Sequence, residues 1–130
     1  MATMHGQEGH IVLLNAAITT TTNGTAVDLA SVTGGQIEVG KAEMKAVLLG
    51  TARTYTGSPT VIVTIEEDST SVFTGATTLA TFTTIATTAA TNEAKGFSPT
   101  KRYIRAVARF SADTTTGSYA LTGIYTKRTV

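Results

Sequence analysis

The sequence predicts an all-β protein: an antiparallel β-sandwich of about eight strands, jelly-roll-like, with an extended N-terminal arm. Three observations predict it. Threonine fills 29 of the 130 positions, and a β-branched residue that is stiff at χ1 suits a half-exposed pleated surface better than a helix. Short Thr-, Val- and Ile-rich runs alternate between bulky and hydroxylated residues, the period-2 pattern of strands. Turn signals separate these runs at intervals of roughly 8 to 15 residues, as in a sandwich. A chain of this length makes one domain and can bury a core without a metal or a disulfide, and it contains no cysteine. Residues 1–9 read as a flexible arm and residues 10–130 as a single sandwich domain.

The elements follow in order. The arm is polar and glycine-containing, without a periodic pattern. His10 to Ile18 is the first strand, with Ile11 to Leu14 apolar on both faces, as in a strand covered on both sides. Thr19 to Gly24 ends it, Asn23-Gly24 being a strong turn signal. A short segment from Thr25 to Leu29 precedes Gly34-Gly35. Gln36 to Lys45 fits either an edge strand or one helical turn. Met44 to Tyr55 reads as a strand, broken at Gly57-Ser58-Pro59.

Thr60 to Glu67 is the clearest strand, with Val61, Val63 and Ile65 on one face and Thr60, Thr64 and Glu66 on the other. Val72-Phe73 reads as the start of a short return, Leu79 to Thr87 as a further strand, and Glu93 to Phe97 as a weaker one. Arg102 to Ala112 places Ile104, Ala106, Ala108 and Phe110 on one face and Tyr103, Arg105, Val107 and Arg109 on the other. A turn at Asp113 to Gly117 then predicts a hairpin with Ser118 to Lys127.

Charge narrows the function. Ten Lys and Arg against nine Asp and Glu give a net charge of +1, and charged residues make up 15% of the chain. No field steers such a protein onto phosphate, which argues against nucleic acid. The apolar run Ile11 to Leu14 is too short and lacks the basic start of a secretory signal, and nothing approaches the ~18 residues of a membrane span. These features predict synthesis in the cytoplasm and no membrane partner.

Few residues point to chemistry. His5 and His10 invite a metal, yet a structural zinc site needs four ligands and no cysteine or third histidine exists to complete it. Glu66 and Glu67 are consecutive on a strand, so they face opposite ways and cannot act as an acid–base pair. Asp68 suits a turn in which its carboxylate accepts backbone N–H groups. A calcium site from Glu67, Asp68 and Ser69 falls short of the six to eight oxygens that ion takes. Lys101, Arg102, Arg105 and Arg109 form the basic concentration. They are either a stripe that meets an acidic partner or a solvated face whose arginines pair with nearby carboxylates. Without a nucleophile–base motif or a phosphate loop, the reading is not an enzyme, with no cofactor and no metal.

The order of segments HIVLLNAAI (residues 10–18), VIVTIEEDST (61–70), ATFTTIAT (80–87), SPTKRYIRAVARFSA (98–112) and SYALTGIYT (118–126) resembles that of the small β-sandwich virion proteins of tailed bacteriophages, in particular the head decoration (cement) proteins. The resemblance spans residues 10 to 126, with Lys101 to Val107 its most specific stretch. It departs at Gly34 to Lys45 and in the length of the arm. It implies a non-enzymatic protein on the outer surface of the capsid that reinforces the lattice. Its implied partners are the major capsid protein and further copies of itself, a homotrimer being favoured. Partner-contacting residues are then expected at His5, Gln7 and His10 on and beside the arm, and at Lys101, Arg102 and Arg105. The competing expectations are a tail, neck or head-fibre component with the same sandwich, and a carbohydrate-binding module, which the absence of Trp disfavours.

Overall fold

A computed structural model describes residues 6–18, 21–30, 43–50, 54–55, 60–86, 89–111 and 115–128, the segments 6–18, 54–55 and 115–128 through their backbone and Leu13. Ten strands are present and no helix occurs among the described residues: β1 (Gly6–Ile18), β2 (Thr22–Asn23), β3 (Val27–Asp28), β4 (Glu43–Gly50), β5 (Thr54–Tyr55), β6 (Val61–Asp68), β7 (Thr77–Thr81), β8 (Thr91–Phe97), β9 (Tyr103–Phe110) and β10 (Thr115–Arg128). They form two antiparallel sheets. The first runs β1-β10-β4-β8, with β5 also on β10; the second runs β2-β9-β6-β7, with β3 also on β9. Counting β2 and β3 as one interrupted strand, and β5 as an extension, leaves eight strands in the interleaved order of a jelly roll. The predicted antiparallel β-sandwich is therefore the observed one, whereas residues 6–9 of the predicted arm belong to β1.

Alternation along β6 and β9 builds one wall of the core. Val61, Val63 and Ile65 are fully buried, as are Ile104, Ala106 and Ala108 on the neighbouring β9. From the first sheet come Leu13, Met44, Ala46, Leu48 and Phe97, and Leu29, Phe82 and Ile85 fill the space at the connections. The small residues Ala106 and Ala108 face Ile65 and Val63 across the ladder, a large-against-small pairing that fills space without strain. Fully burying each Leu, Ile or Val stabilises the fold by roughly 1.5–3 kcal/mol.

Several elements differ from the sequence reading. β1 starts at Gly6 rather than His10, because residues 6–9 continue the ladder with Arg128 to Tyr125. Asn23-Gly24 is not a hairpin turn: Asn23 pairs with Val107, and the Gly24 N–H donates to the Ala106 carbonyl at 2.7 Å. Val72-Phe73 lies in the loop, and the return strand begins at Thr77. The strand predicted at Leu79 to Thr87 is shorter but its path persists, through the Phe82 N–H on the Val63 carbonyl and a bridge between Ile85 and Val61. The weak Glu93 to Phe97 strand is seven residues long.

The largest correction concerns the last third. β9 and β10 are not a hairpin; β9 sits between β2/β3 and β6 in the second sheet, and β10 between β1 and β4 in the first. Both have neighbours on each side, so both are interior strands. Gly34-Gly35, Gln36 to Ala42, Gly57 to Pro59 and Asp113-Thr114 lie outside the described residues.

Gly24 packs where two strands converge. A Cβ there would collide with the Leu13 carbonyl oxygen and lie 3.0 Å from that of Ala106, whereas a Cβ on Gly75 would meet nothing nearer than Asp68 Oδ2 at 3.9 Å. Backbone on both sides cannot yield cheaply. Gly24→Ala is expected to destabilise by about 1–3 kcal/mol, and Gly75→Ala to be neutral or slightly stabilising. Thermal melts of the two variants check this pair.

Candidate functional site

Glu66, Glu67 and Asp68 stand together at the end of β6, and the strand's alternation distributes them. Glu66, Glu67 and Asp68 are each more than nine-tenths buried, a placement a carboxylate tolerates only with partners of its own. Each has them, and each set comes from a different part of the chain.

Glu66 points to the outer side of the second sheet, where Arg105 is its direct neighbour across the ladder. Arg105 Nε and Nη2 both donate to Glu66 Oε1 at 3.2 Å, and Arg109 Nη2 donates to Oε2 at 3.0 Å. Arg109 Nη1 also donates to Thr64 Oγ1 at 2.8 Å. The ring of Phe73 covers Arg105, its centroid 4.4 Å from the guanidinium carbon, within cation–π range. One carboxylate thus holds two guanidiniums, and Val107 between them is 1% exposed.

Glu67 faces the other way, towards the connection between β8 and β9. Its Oε2 accepts the backbone N–H groups of Thr100 at 2.7 Å and Lys101 at 3.0 Å, and its Oε1 the Thr100 hydroxyl at 2.8 Å. Asp68 closes the β6–β7 loop. Its Oδ2 accepts the Gly75 N–H at 2.8 Å, and its Oδ1 the Thr70 N–H and the Ser69 hydroxyl, both at 3.3 Å. The Gly75 hydrogen bond holds the Asp68 carboxyl below its usual range, with Thr70 and Ser69 assisting and desolvation opposing. This is the turn role expected for Asp68.

The remaining basic residues are engaged as well. Lys101 Nζ reaches Thr77 Oγ1 at 3.0 Å and the Gly75 carbonyl at 3.5 Å. Arg102 makes a two-pronged pair with Asp28, both contacts 2.8 Å, and this partner raises the guanidinium pKa further. Of the two readings of the basic stripe, geometry favours arginines paired with neighbouring carboxylates. Gln7 and His10 lie on β1, paired with Lys127 and Ile124, on the sheet that does not contain Lys101, Arg102 and Arg105; His5 lies outside the described residues. Among the described residues no group of three or more His, Asp or Glu is arranged to hold a metal ion.

Asp28 and Phe73 were not visible as site residues in the sequence. Asp28 is 74 residues from Arg102 and meets it because β3 pairs with β9. Phe73 has φ of 55°, a left-handed conformation that nothing in an apolar aromatic residue signals.

The fold and this bracing define a jelly-roll β-sandwich in which the charges at the end of β6 and along β9 serve internal contacts. No family model matches the chain, and no curated protein matches it. Among solved structures it is similar to the PBSX exported protein XepA, with a TM-score of 0.55 and 18% identity over 94% of this chain and 38% of that one. The chain therefore spans well under half the length of that neighbour, and at this identity the likeness concerns the fold. A structure of the infectious bursal disease virus Gx strain aligns with a TM-score of 0.47 and 13% identity, over 98% of this chain and 37% of that one.

Two variants probe the bracing. Glu66→Gln leaves two guanidiniums facing a neutral amide. Breaking a buried pair typically costs about 3–5 kcal/mol, and the half-exposed Arg109 brings the expected loss to roughly 2–3. Asp68 has a folded pKa below its unfolded value, so its contribution is complete above the ordinary carboxylate range. It is lost as pH falls through the lowered folded value. Denaturant melts from pH 7 to pH 2 are expected to show an acid loss in the parent that Asp68→Asn, already weakened at pH 7, lacks in part.

Proposed function

We propose that this chain is a structural protein of a virus particle, and that it is a decoration (cement) protein on the outer surface of a tailed-phage capsid. In this reading it is not an enzyme. Its partners are the major capsid protein and further copies of itself, with a homotrimer favoured. It binds no nucleic acid and stabilises the lattice by bridging neighbouring subunits.

The observation that carries the reading is how charge is used. Arg102, Arg105, Arg109, Lys101, Glu66, Glu67, Asp68 and Asp28 all hold parts of the same sandwich together. Bracing of this kind suits a stiff spacer that has to bear load, since interlocked carboxylates and guanidiniums resist shear between strand and loop. The resemblance of the strand segments to head decoration proteins supports the same reading. The jelly-roll frame shared with a PBSX exported protein is compatible with it. Repeated copies on a lattice need only modest affinity each, because linked contacts raise avidity well beyond that of one protomer.

The test is stoichiometry. Quantitative mass spectrometry of purified particles is expected to find this chain in hundreds of copies. A handful per particle assigns it to the tail, neck or a fibre, and its absence from particles overturns the proposal.

A further inference from the structure

The fold leaves one motif of the sequence without a role. Asn23-Gly24 is not a turn, yet asparagine followed by glycine carries a chemistry of its own. With no side chain to hinder it, the glycine nitrogen can attack the asparagine carboxamide carbon. That nitrogen gives up its proton to hydroxide, the N–Cγ bond forms and the carboxamide nitrogen departs as ammonia. Water then opens the cyclic imide. Opening at Cγ leaves aspartate; opening at the backbone carbonyl leaves isoaspartate, whose chain runs through Cβ and is one carbon longer. Asn15 precedes alanine and Asn92 precedes glutamate, and both of those side chains impede the same attack.

The structure keeps the reacting groups of Asn23-Gly24 apart. The Gly24 N–H is committed to the Ala106 carbonyl at 2.7 Å. Asn23 is in a strand, paired with Val107, and ring closure needs its ψ to leave the extended range. Its side chain stands exposed, so water reaches the carboxamide and the restraint lies in the backbone. That backbone is lightly fastened. Residues 21–24 meet β9 through the Thr22–Ala108 and Asn23–Val107 pairs, the Gly24 hydrogen bond, and the Phe110 N–H on Thr21 Oγ1 at 3.1 Å. None of the four is buried, and the next buried side chain along the chain is Leu29. A segment held by backbone hydrogen bonds with few apolar contacts opens at less cost than the whole fold.

The two products differ in whether they can return. Gly24 sits so close to the Leu13 carbonyl that a single carbon added to it would collide there. A backbone lengthened by one carbon at residue 23 cannot keep both the Thr22–Ala108 register and the Gly24–Ala106 hydrogen bond. An ordinary aspartate keeps the spacing and adds only a charge at an exposed position. We propose that Asn23-Gly24 is a deamidation site that the closed sandwich suppresses and that local opening of β2 from β9 releases, its isoaspartate product barring β2 from closing again. This stands apart from the decoration reading and does not depend on it.

The experiment incubates the full chain at mildly alkaline pH in buffer, in urea below the unfolding transition and in urea above it. Peptide mass mapping follows deamidation at Asn23 and separates isoaspartate from aspartate. The rate in buffer is expected to be at least about tenfold below that in denaturing urea, and to rise in urea that leaves the global fold intact. Equal rates in buffer and denaturant refute the suppression, and a rate that climbs only with global unfolding refutes the local opening. The isoaspartate chain formed in urea, and Asn23→Asp, are then refolded and melted. The isoaspartate chain is expected to melt at least ~5 °C below the parent or to fail to refold, and Asn23→Asp to melt close to the parent. An isoaspartate chain that melts with the parent, or an Asn23→Asp chain that melts as low as the isoaspartate one, overturns the barred closure.

Discussion

Successive residues of a β-strand face opposite sides of the sheet, so a run of three carboxylates at a strand's end cannot gather into one site. It must send its members in different directions, and at the end of β6 each finds a different part of the chain. Glu66 meets the arginines of β9, Glu67 the backbone leaving β8, and Asp68 the loop leading to β7. A carboxylate this deeply buried is tolerable only with hydrogen-bond donors on its oxygens. The three segments are thereby committed to one arrangement. Buried ion pairs add little net stability against a well-packed apolar alternative, but removing one partner is severe. The cluster therefore acts as a lock on geometry more than as a reservoir of stability.

Around that lock the chain changes sheets at almost every step. β6 and β7 are consecutive strands paired directly with one another; the other long strands find their partners far along the sequence. β1 and β10 join the two ends of the described chain in one ladder, from Gly6 with Arg128 to Ile18 with Gly117. Such connectivity makes the first sheet complete only when the last strand is in place. Non-local pairing of this kind folds slowly, since loop closure must precede the contacts that reward it. It also ties the two sheets into one unit, because no sheet can be assembled from a contiguous stretch of sequence. Glu93 on the edge strand β8 adds a lateral tie, accepting the Thr83 N–H at 2.9 Å and its hydroxyl at 3.1 Å from the segment after β7.

Alternation was legible in the sequence wherever one face of a strand is buried. The inward sets of β6 and β9 follow directly from the spacing of Val61, Val63 and Ile65 and of Ile104, Ala106 and Ala108. What periodicity cannot reveal is pairing. Two strands separated by a short turn read as a hairpin, and β9 and β10 look like one, yet jelly-roll order assigns them to opposite sheets. Asn23-Gly24 fails as a signal for a related reason: its glycine is needed for close approach to the Leu13 and Ala106 carbonyls, not for a reversal. The charged cluster was half legible. That Glu66 and Glu67 face apart follows from strand geometry, and Asp68 took the turn role its chemistry favours. Which arginine meets which carboxylate depends on the register between β6 and β9, and on a loop that lays Phe73 over Arg105. Neither is encoded in spacing.

The low charge content acquires a physical meaning from this arrangement. Charged side chains are few, and those around the second sheet are turned to internal use. Solubility then falls largely to threonine and serine, whose hydroxyls hydrate a surface without giving it a field. Such a surface neither repels nor selects at a distance, and a net charge near zero favours association over dispersal. The two sheets differ in how far they exploit this. The outer side of the second is closed over by Arg105, Arg109 and Phe73, leaving Val107 buried between them. On the first, Leu49 on β4 stands half exposed beside Asn92 on β8, with Ala94 exposed further along that strand. The two described outer faces thus differ: β6 and β9 carry interlocked charges under Phe73, while β4 exposes Glu43, Lys45 and Leu49. The charges of the second sheet also fix its β6–β7 loop, through Asp68 on Thr70 and Gly75, Lys101 on Thr77 and Arg105 under Phe73, so strand register and loop conformation are set by the same few residues.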